Sequence, residues 1–437
     1  MVIRHGTARN SRAKMDRMSI PNPILLIEDN DILAEIVQFK ITEQYDVEIH
    51  HARSHAEAKQ LLTQHRSNYL VALCDLVLPD APNGEVLKLV AKANVRSIAL
   101  TGLTEKSHFQ DEFKGKLVDY VAKDTPNAIN YTVNLIGRLY KNRSMKALVV
   151  DDSQTGLSIL SNYLTLLNFN VYTAKDGVEA IDVLKQETDT RLMIADYEMP
   201  RMDGIQLVIE TRKLINKNKL AIIGVSSTGR ADIGAMFIKN GANDFLSKPY
   251  TLEELICRIN MNMDALDNID YIFELANKDG LTGLFNRRYF FGEVEKIDET
   301  WVTAGSEFSC AMIDIDHFKR INDTHGHDCG DQVLRVFAKT LTEYFSTELV
   351  ARLGGEEFAV ICAPENKLEF TSQLENFRKY IEANPIGWEG NIITVTVSIG
   401  LCTAPSMPAE AMLKHADNNL YKAKEGGRNQ IIALSPT

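Results

Sequence analysis

The chain has 437 residues, enough for about three domains at roughly 100–200 residues each. Its net charge of -11 argues against a nucleic-acid-binding surface, while leaving room for a nucleotide held by a few local cations. With 45% hydrophobic and 24% charged residues, and no apolar run near the ~18 residues that span a bilayer, the composition predicts a globular protein without membrane insertion.

Six cysteines (Cys74, Cys257, Cys310, Cys329, Cys362 and Cys402) are scattered without Cys-x-x-Cys spacing. They predict free, reduced thiols in a cytoplasmic protein rather than a disulfide or zinc framework. The N-terminal stretch carries Arg4, Arg9, Arg12, Lys14 and Arg17 but no apolar core, so a secretory signal is not expected. Residues 1–22 read as a disordered basic arm, with Met15 and Met18 as alternative starts.

Two segments then repeat one plan, over residues 23–142 and 145–263. Ile24-Leu25-Leu26-Ile27 runs into Glu28-Asp29, and Ala147-Leu148-Val149-Val150 into Asp151-Asp152. Each is a short apolar run, read as a buried parallel strand, that ends in an acidic pair and is followed by an amphipathic helix. About 45 residues later another apolar strand ends in Asp75 or Asp196, before a loop with Pro and Gly. A fourth strand ends at Thr101-Gly102 or Ser226-Ser227, and a fifth at Lys123 or Lys248. Strands alternating with helices predict right-handed βαβ units in a doubly wound parallel sheet, with functional residues at the strands' carboxyl ends.

Between Tyr250 and Asp279 an apolar seam (Leu252, Leu255, Ile259, Leu266, Ile269, Phe273, Ala276) advances in steps of three and four, interrupted at Asn262. Its first turns read as the terminal helix of the second segment. The later turns, residues 264–278, read either as a continuation of that helix or as a dimeric coiled coil that transmits a signal. From Asp279 to residue 437 the pattern changes to a mixed α+β domain. Strands are expected at Phe308 to Ile313, ending in Asp314, at Val350 to Leu353, at Phe358 to Ile361 and at Ile392 to Ile399.

The residues at these strand ends carry chemistry. An acidic pair plus a third aspartate concentrates negative charge that a Mg²⁺ ion resolves. The isolated aspartate can then attack phosphorus to give an acyl phosphate. The lysine can pair with the phosphoryl group, and the hydroxyl can hydrogen-bond to it. That hydroxyl and a nearby aromatic (Tyr120 or Phe245) form a candidate switch.

In the third domain Gly354-Gly355-Glu356-Glu357-Phe358 reads as a tight hairpin tip. The glycines let an anionic ligand approach the backbone, and the carboxylates offer hard oxygens for Mg²⁺. Such tips are most often only solvated turns; the companions make this one specific. Asp314-Ile315-Asp316 ends a strand whose carboxylates can share metal with Glu356. Asn322 and Asp331 offer an amide and a carboxylate able to read guanine. Lys319, near a helix start, suits a polyphosphate. Lys424 and Arg428, four apart, would stand on one face of a helix and hold terminal phosphates. His317, His325 and His327 tempt a transition-metal reading, but no further ligand spacing supports it. Trp301 and Trp388 read as packing or surface residues.

Both repeated segments resemble receiver domains of bacterial two-component response regulators. In the second, Asp151, Asp152, Asp196, Ser226, Lys248-Pro249 and the run from Asp196 to Gly204 match. In the first, Glu28, Asp29, Asp75, Thr101 and Lys123 match, but Asp124 replaces the usual proline and the loop from Asp75 to Gly84 has one extra residue. The resemblance implies a flavodoxin-like fold. It also implies one Mg²⁺ per receiver, held by Asp29 and Asp75, or by Asp152, Asp196 and the Glu198 carbonyl. Asp75 and Asp196 would be phosphorylated by a cognate histidine kinase or phosphotransfer protein, with Thr101, Lys123, Ser226 and Lys248 as switch residues.

The third domain resembles the GGDEF family of diguanylate cyclases. The match rests on the motif Asp279 to Arg288 (Asp-Gly-Leu-Thr-Gly-Leu-Phe-Asn-Arg-Arg), the stretch Asp314 to Asp331, the hairpin, and the tail Lys424 to Arg428. It implies a palm-like βααββαβ fold of the nucleotidyl cyclase type that joins two GTP into cyclic di-GMP and two pyrophosphates. Asp314, the Ile315 carbonyl and Glu356 would hold metal, at two Mg²⁺ per GTP, and Glu357 would complete the site. Glu356 is the preferred acceptor of the 3′ proton, with the other carboxylates as alternatives. Asn322 and Asp331 would recognise guanine, and Phe318, Lys319, Lys424 and Arg428 would lie against the phosphates beside Gly354 and Gly355. One domain binds one GTP, so a homodimer is expected. Where many members carry an inhibitory Arg-x-x-Asp, this chain has Phe345-Ser346-Thr347-Glu348. The competing reading is a catalytically silent module that binds GTP or cyclic di-GMP.

Overall fold

The computed structural model describes residues 17–65, 68–102, 117–123, 125, 127–227, 231–297, 307–363, 367–405 and 407–434. Asp124 and Trp301 lie outside them, as does the basic arm up to residue 16. The rest of that arm is not disordered. Met18–Ser19 pairs in parallel with Tyr45–Asp46, the Ile20 amide donates to the Asp46 carbonyl at 2.9 Å, and Ile20 is buried. An apolar side chain beside a strand edge is enough to draw the chain in.

Two five-stranded parallel sheets follow, and both have the strand order 2-1-3-4-5. In the first the strands are Ile24–Ile27, Ile49–Ala52, Val71–Asp75, Ser97–Thr101 and Leu117–Ala122. In the second they are Lys146–Val150, Asn170–Ala174, Thr190–Asp196, Ala221–Ser226 and Asp244–Ser247. The central strands are buried along their length because helices cover both faces, which is why they are apolar runs rather than alternating ones. Side-chain caps start the helices: Asn30, Ser153 and Asp203 each accept from amides of the first turn.

The chain divides into two compact units, Met1–Asp267 and Asn268–Thr437. The boundary drawn between residues 142 and 145 is therefore not a break in packing. One apolar cluster runs from Ile24 and Leu26 through Val133, Ile136 and Leu139 to Leu160, Leu164, Ile259 and Leu266. Backbone carbonyls are satisfied across the junction: Arg96 Nε donates to Leu166 O at 3.0 Å, Asn142 Nδ2 to Leu167 O at 2.9 Å and Asn168 Nδ2 to Leu139 O at 2.9 Å. Arg138, 6% exposed, reaches Asp264 and also Asp267 at 3.0 Å, and Lys141 meets Asp267 at 2.8 Å.

The seam is also divided. The helix Leu252–Asn277 is continuous, and Leu255, Ile256, Ile259, Met263 and Leu266 are buried in the first unit. Tyr271, Ile272, Phe273 and Leu275 are exposed. Asn262, the interruption, donates to Asp244 Oδ2 at 3.2 Å.

The second unit is built on a six-stranded sheet centred on Glu307–Ile315, which pairs antiparallel with Glu357–Cys362 and Val397–Pro405. Helices Phe318–His325, His327–Tyr344, Lys367–Ala383 and Ala409–Glu425 complete a β-α-α-β-β-α-β core. The single strand expected at Ile392 to Ile399 is two pieces. Asn391–Ile393 pairs with Ile386–Trp388 in a separate hairpin, and the main sheet is joined at Val397. Between them the Thr396 carbonyl accepts the Asp316 amide at 2.9 Å, one step beyond the Ile315–Val397 pair of the main ladder. All six cysteines are free, and only Cys257 is exposed. No described helix is long and apolar enough to cross a membrane.

The buried Arg138 supplies a stability test. Replacing both Asp264 and Asp267 by alanine leaves its guanidinium without a counter-charge and should cost about 3 kcal/mol in urea unfolding. Adding Arg138→Met to that pair should recover part of the loss, because a buried charge is then removed rather than stranded.

Candidate functional site

In the first unit the carboxyl ends of adjacent parallel strands bring acidic groups together. Glu28, Asp29 and Asp75 each offer an oxygen, and these atoms lie within 4.8 Å of one another; Asp151, Asp152 and Asp196 repeat the arrangement. In both trios the middle residue is exposed and the other two are buried, so each pocket opens to solvent. Lys123 Nζ lies 2.7 Å from Asp75 and 2.8 Å from Glu28. Lys248 Nζ lies 2.7 Å from Asp196 and 3.1 Å from Asp151. Burial pushes the Glu28 and Asp196 carboxyls above the usual range, although each lysine pulls the other way. Three carboxylates against one ammonium leave an excess of about two negative charges, and the all-oxygen donor set suits a hard divalent cation. Those residues therefore fit Mg²⁺.

The extra residue after Asp75 is absorbed locally. Leu78 and Ala81 form a small antiparallel bridge, and Gly84 N still donates to the carbonyl of the residue after the aspartate, Leu76, at 3.0 Å. In the second segment Gly204 N does the same to Tyr197 O at 3.0 Å. Thr101 and Ser226 are buried at the ends of the fourth strands, as expected.

In the second unit Asp314 lies directly opposite Glu357 in the ladder, and the Ile315 amide donates to the Glu356 carbonyl at 3.3 Å. Burial, with Glu356 and Glu357 nearby, pushes the Asp314 carboxyl up to about 6 against the pull of Lys424. Lys424 Nζ sits 2.7 Å from Asp314 Oδ2, so the residue expected at the phosphates neutralises the expected metal ligand here. The trio Asp314, Glu356 and Glu357 does not close to the spacing of the other two pockets among the described residues. Asp316, read as a partner in the same metal site, is engaged elsewhere: it accepts from Thr396 Oγ1, Ser398 Oγ and the Asn429 amide at 2.8, 2.7 and 3.0 Å.

The hairpin tip is braced by a residue to which the motif gave no role. Arg352 donates Nε and Nη2 to Gly355 O at 2.9 and 2.8 Å and Nη1 to Asp279 Oδ1 at 2.9 Å. Asp279 also accepts from Thr282 N and Oγ1 at 3.0 and 2.7 Å. An arginine just before a two-glycine tip was the available signal, since Gly355 lies outside the strand ladder. Gly354 and Gly355 have φ of 150° and 53°, and a Cβ at either would meet nothing within 4 Å, so the tip faces open space.

Asn322 and Asp331 lie on neighbouring helices, brought together by Gly330. A Cβ there would stand 1.9 Å from Asn322 Oδ1 and 3.1 Å from Phe318 Cζ, so only glycine permits the approach. Phe318 is buried and Lys319 exposed. The expectation that Lys424 and Arg428 share one helix face fails. The helix Ala409–Glu425 stops at Gly426, Gly427 takes φ 112°, and Arg428 follows with φ 65°. Two consecutive glycines end the helix before Arg428 is reached.

Comparison with known proteins supplies a frame for this geometry. Residues 276–430 match the family "Diguanylate cyclase, GGDEF domain", and residues 147–260 match "Response regulator receiver domain". The response regulator PleD of Caulobacter vibrioides is 33% identical over 253 residues, which cover 55% of this chain and 56% of PleD. The diguanylate cyclase DgcP of Pseudomonas aeruginosa is 37% identical over 187 residues, covering 41% of this chain and 28% of that protein. The match thus spans about half the length of PleD and less of DgcP. A crystal structure of a two-component system response regulator/GGDEF domain protein superposes with a TM-score of 0.51 at 35% identity, over 56% of this chain and 99% of that one.

Two outcomes follow from the site's geometry. With Asn322 as the expected reader of guanine, Gly330→Ala should push it away and raise the KM for a guanine nucleotide about tenfold, with a smaller change in kcat, in steady-state kinetics. Asp279 is held below its ordinary 3.8 in spite of burial, because Thr282 and Arg352 stabilise the anion. Its contribution to stability is therefore present above about pH 4 and is lost as pH falls through the depressed value. Thermal midpoints of the wild type and Asp279→Asn should differ at neutral pH and converge in strong acid.

Proposed function

Because the chain belongs to the response regulators that join a receiver domain to a GGDEF domain, we propose that it condenses two GTP into cyclic di-GMP and two pyrophosphates under receiver control. The observation that carries this reading is the apposition of Asp314, the Glu356-Glu357 tip and Lys424 at the end of the central strands. A buried carboxyl already pushed up to about 6, beside two more acidic groups, favours a divalent cation with a polyphosphate.

Asn322 and Asp331 orient guanine, accepting from its N1–H and N2–H₂. Phe318, Lys319, Lys424 and Arg428 serve the phosphates, and Gly354 and Gly355 leave the tip clear of side chains. Asp314, the Ile315 carbonyl and Glu356 would hold Mg²⁺, two ions per GTP, with Glu357 completing the set. Bound there, Mg²⁺ supplies charge neutralisation for the leaving pyrophosphate and acidity for the 3′-hydroxyl. Glu356 takes the 3′ proton as that oxygen bonds to the α-phosphorus of the other GTP and the bond to the β-phosphate oxygen breaks. Two domains must face each other for this to happen twice, so the working form is a homodimer.

We also read the first segment as a second receiver. The shared strand order, the acidic trio and the lysine at the fifth strand support it. Asp75 and Asp196 are the phosphorylation sites, supplied by a histidine kinase or phosphotransfer protein. Asp29 and Asp75, or Asp152, Asp196 and the Glu198 carbonyl, would hold one Mg²⁺ each. Thr101 with Lys123, and Ser226 with Lys248, respond to the phosphoryl group. The free cysteines fit a cytoplasmic setting.

Incubation of the full chain with GTP and Mg²⁺, with and without acetyl phosphate, tests the reading. Cyclic di-GMP should form, Glu356→Gln should reduce its rate at least about a hundredfold, and Asp75→Asn with Asp196→Asn should abolish the stimulation by acetyl phosphate. A phosphorylated wild type as inert as Glu356→Gln would leave a silent binding module. Phe345 is buried against Phe370 and Phe377, where other members offer an arginine to product. Titration with cyclic di-GMP should therefore give weak or absent noncompetitive inhibition through that surface.

A further inference from the structure

Asp316 stands two residues beyond Asp314, yet its hydrogen bonds lead to a different part of the domain. It is 5% exposed. Oδ1 accepts from the Ser398 hydroxyl at 2.7 Å, and Oδ2 accepts from the Thr396 hydroxyl at 2.8 Å and the Asn429 amide at 3.0 Å. Three neutral donors spread its charge and occupy most of its lone pairs.

The third donor is the informative one. Gly427, Arg428 and Asn429 have φ of 112°, 65° and 46° in succession. Residues with a side chain hold that conformation only where the surroundings over-determine it, and such places gather at ligand clamps. Here the surroundings are explicit. On one side the Arg428 amide donates to the Ala423 carbonyl at 3.0 Å. On the other, Asn429 is gripped at three atoms: its amide by Asp316, its Oδ1 by Arg378 Nη1 at 2.7 Å, and its Nδ2 by Glu382 Oε1 at 2.8 Å. Arg378 is itself fixed by Glu375 at 2.8 and 3.0 Å and by Glu382 at 3.0 Å. Arg428 lies between these anchors with an exposed side chain.

We propose that Asp316 is a positioning residue rather than a metal ligand: by capturing the Asn429 amide it holds Arg428 in the left-handed turn from which its guanidinium serves the triphosphate. The proposal rests on the assignment of Arg428 to the phosphates. It separates two aspartates of one motif, Asp314 for cation and Asp316 for the arm that carries the phosphate grip. An amide at Asp316 keeps an oxygen for Asn429 and Thr396 and turns its nitrogen to the Ser398 hydroxyl, whereas alanine keeps nothing.

The test measures binding of a non-hydrolysable GTP analogue and of GMP, with Mg²⁺, to the full chain and its variants. Asp316→Ala should weaken the triphosphate about tenfold while leaving GMP within about twofold, and Asp316→Asn should restore most of the affinity. Arg428→Ala should weaken the triphosphate similarly, and the double variant Asp316→Ala/Arg428→Ala should lose no more than either alone. Should Asp316→Ala not fold, Asn429→Ala gives the same selective loss on a smaller scale, because it cuts the ties to Arg378 and Glu382. Asp316→Asn as damaging as Asp316→Ala would show that the charge is needed and overturn the proposal in favour of metal ligation. Additive losses, or equal losses for GMP, would also overturn it. An Arg428→Ala variant with unchanged triphosphate affinity would overturn the phosphate assignment, and the proposal with it.

Discussion

Three times in this chain a central strand delivers buried carboxylates to one end of a sheet, and each time a lysine meets them: Lys123 on Glu28 and Asp75, Lys248 on Asp151 and Asp196, Lys424 on Asp314. Burial alone would protonate such groups or force them apart. In the parallel sheets one ammonium keeps three carboxylates gathered without balancing them, whereas in the second unit Asp314, Glu356 and Glu357 stand wider apart and Lys424 meets Asp314; in each place the remaining negative charge suits a cation. The same lysine is then available to an arriving anion. On the proposed reading, a phosphoryl group or a triphosphate entering with its metal would complete a charge balance that neither the protein nor the ligand has alone.

This balance depends on backbone placement that the side chains alone do not ensure. In the parallel sheets the strand order 2-1-3-4-5 puts the first and third strands side by side, so the acidic pair and the isolated aspartate face one opening. In the second unit the antiparallel register sets Asp314 against Glu357, and Arg352 ties the glycine tip to Asp279. A tip with two glycines has little conformational preference of its own, so its position is inherited from that arginine.

The two parallel sheets share an apolar cluster, and the polar groups at their junction are satisfied across it by Arg96, Asn142 and Asn168. The helix Leu252–Asn277 closes the second sheet with its first turns, while Asp264 and Asp267 receive the buried Arg138. A change at the strand ends of either sheet would thus act on a joined core rather than on two beads.

Much of the fold was legible in the sequence because its signals are local. Apolar runs that end in Glu28-Asp29 or Asp151-Asp152, and the glycine-carboxylate tip after an apolar strand, follow from strand periodicity and turn chemistry over a few residues. What failed was non-local. Residues 18–20 join a strand edge formed elsewhere, Ile392 to Ile399 divides because Asn391–Ile393 pairs with Ile386–Trp388, and Arg428 leaves the helix of Lys424 at Gly426-Gly427. Arg352, Gly330 and Asn429 carry no chemistry of their own, and their importance appears only when the atoms they touch are known. The sequence by itself therefore determined which residue types are present and which strands carry them, because side-chain periodicity and backbone propensity act over short range. Which carboxylates meet a lysine, which aspartate is spent on the backbone and which sheets share a core were decided only by tertiary structure, because charge and burial depend on neighbours far apart in the chain.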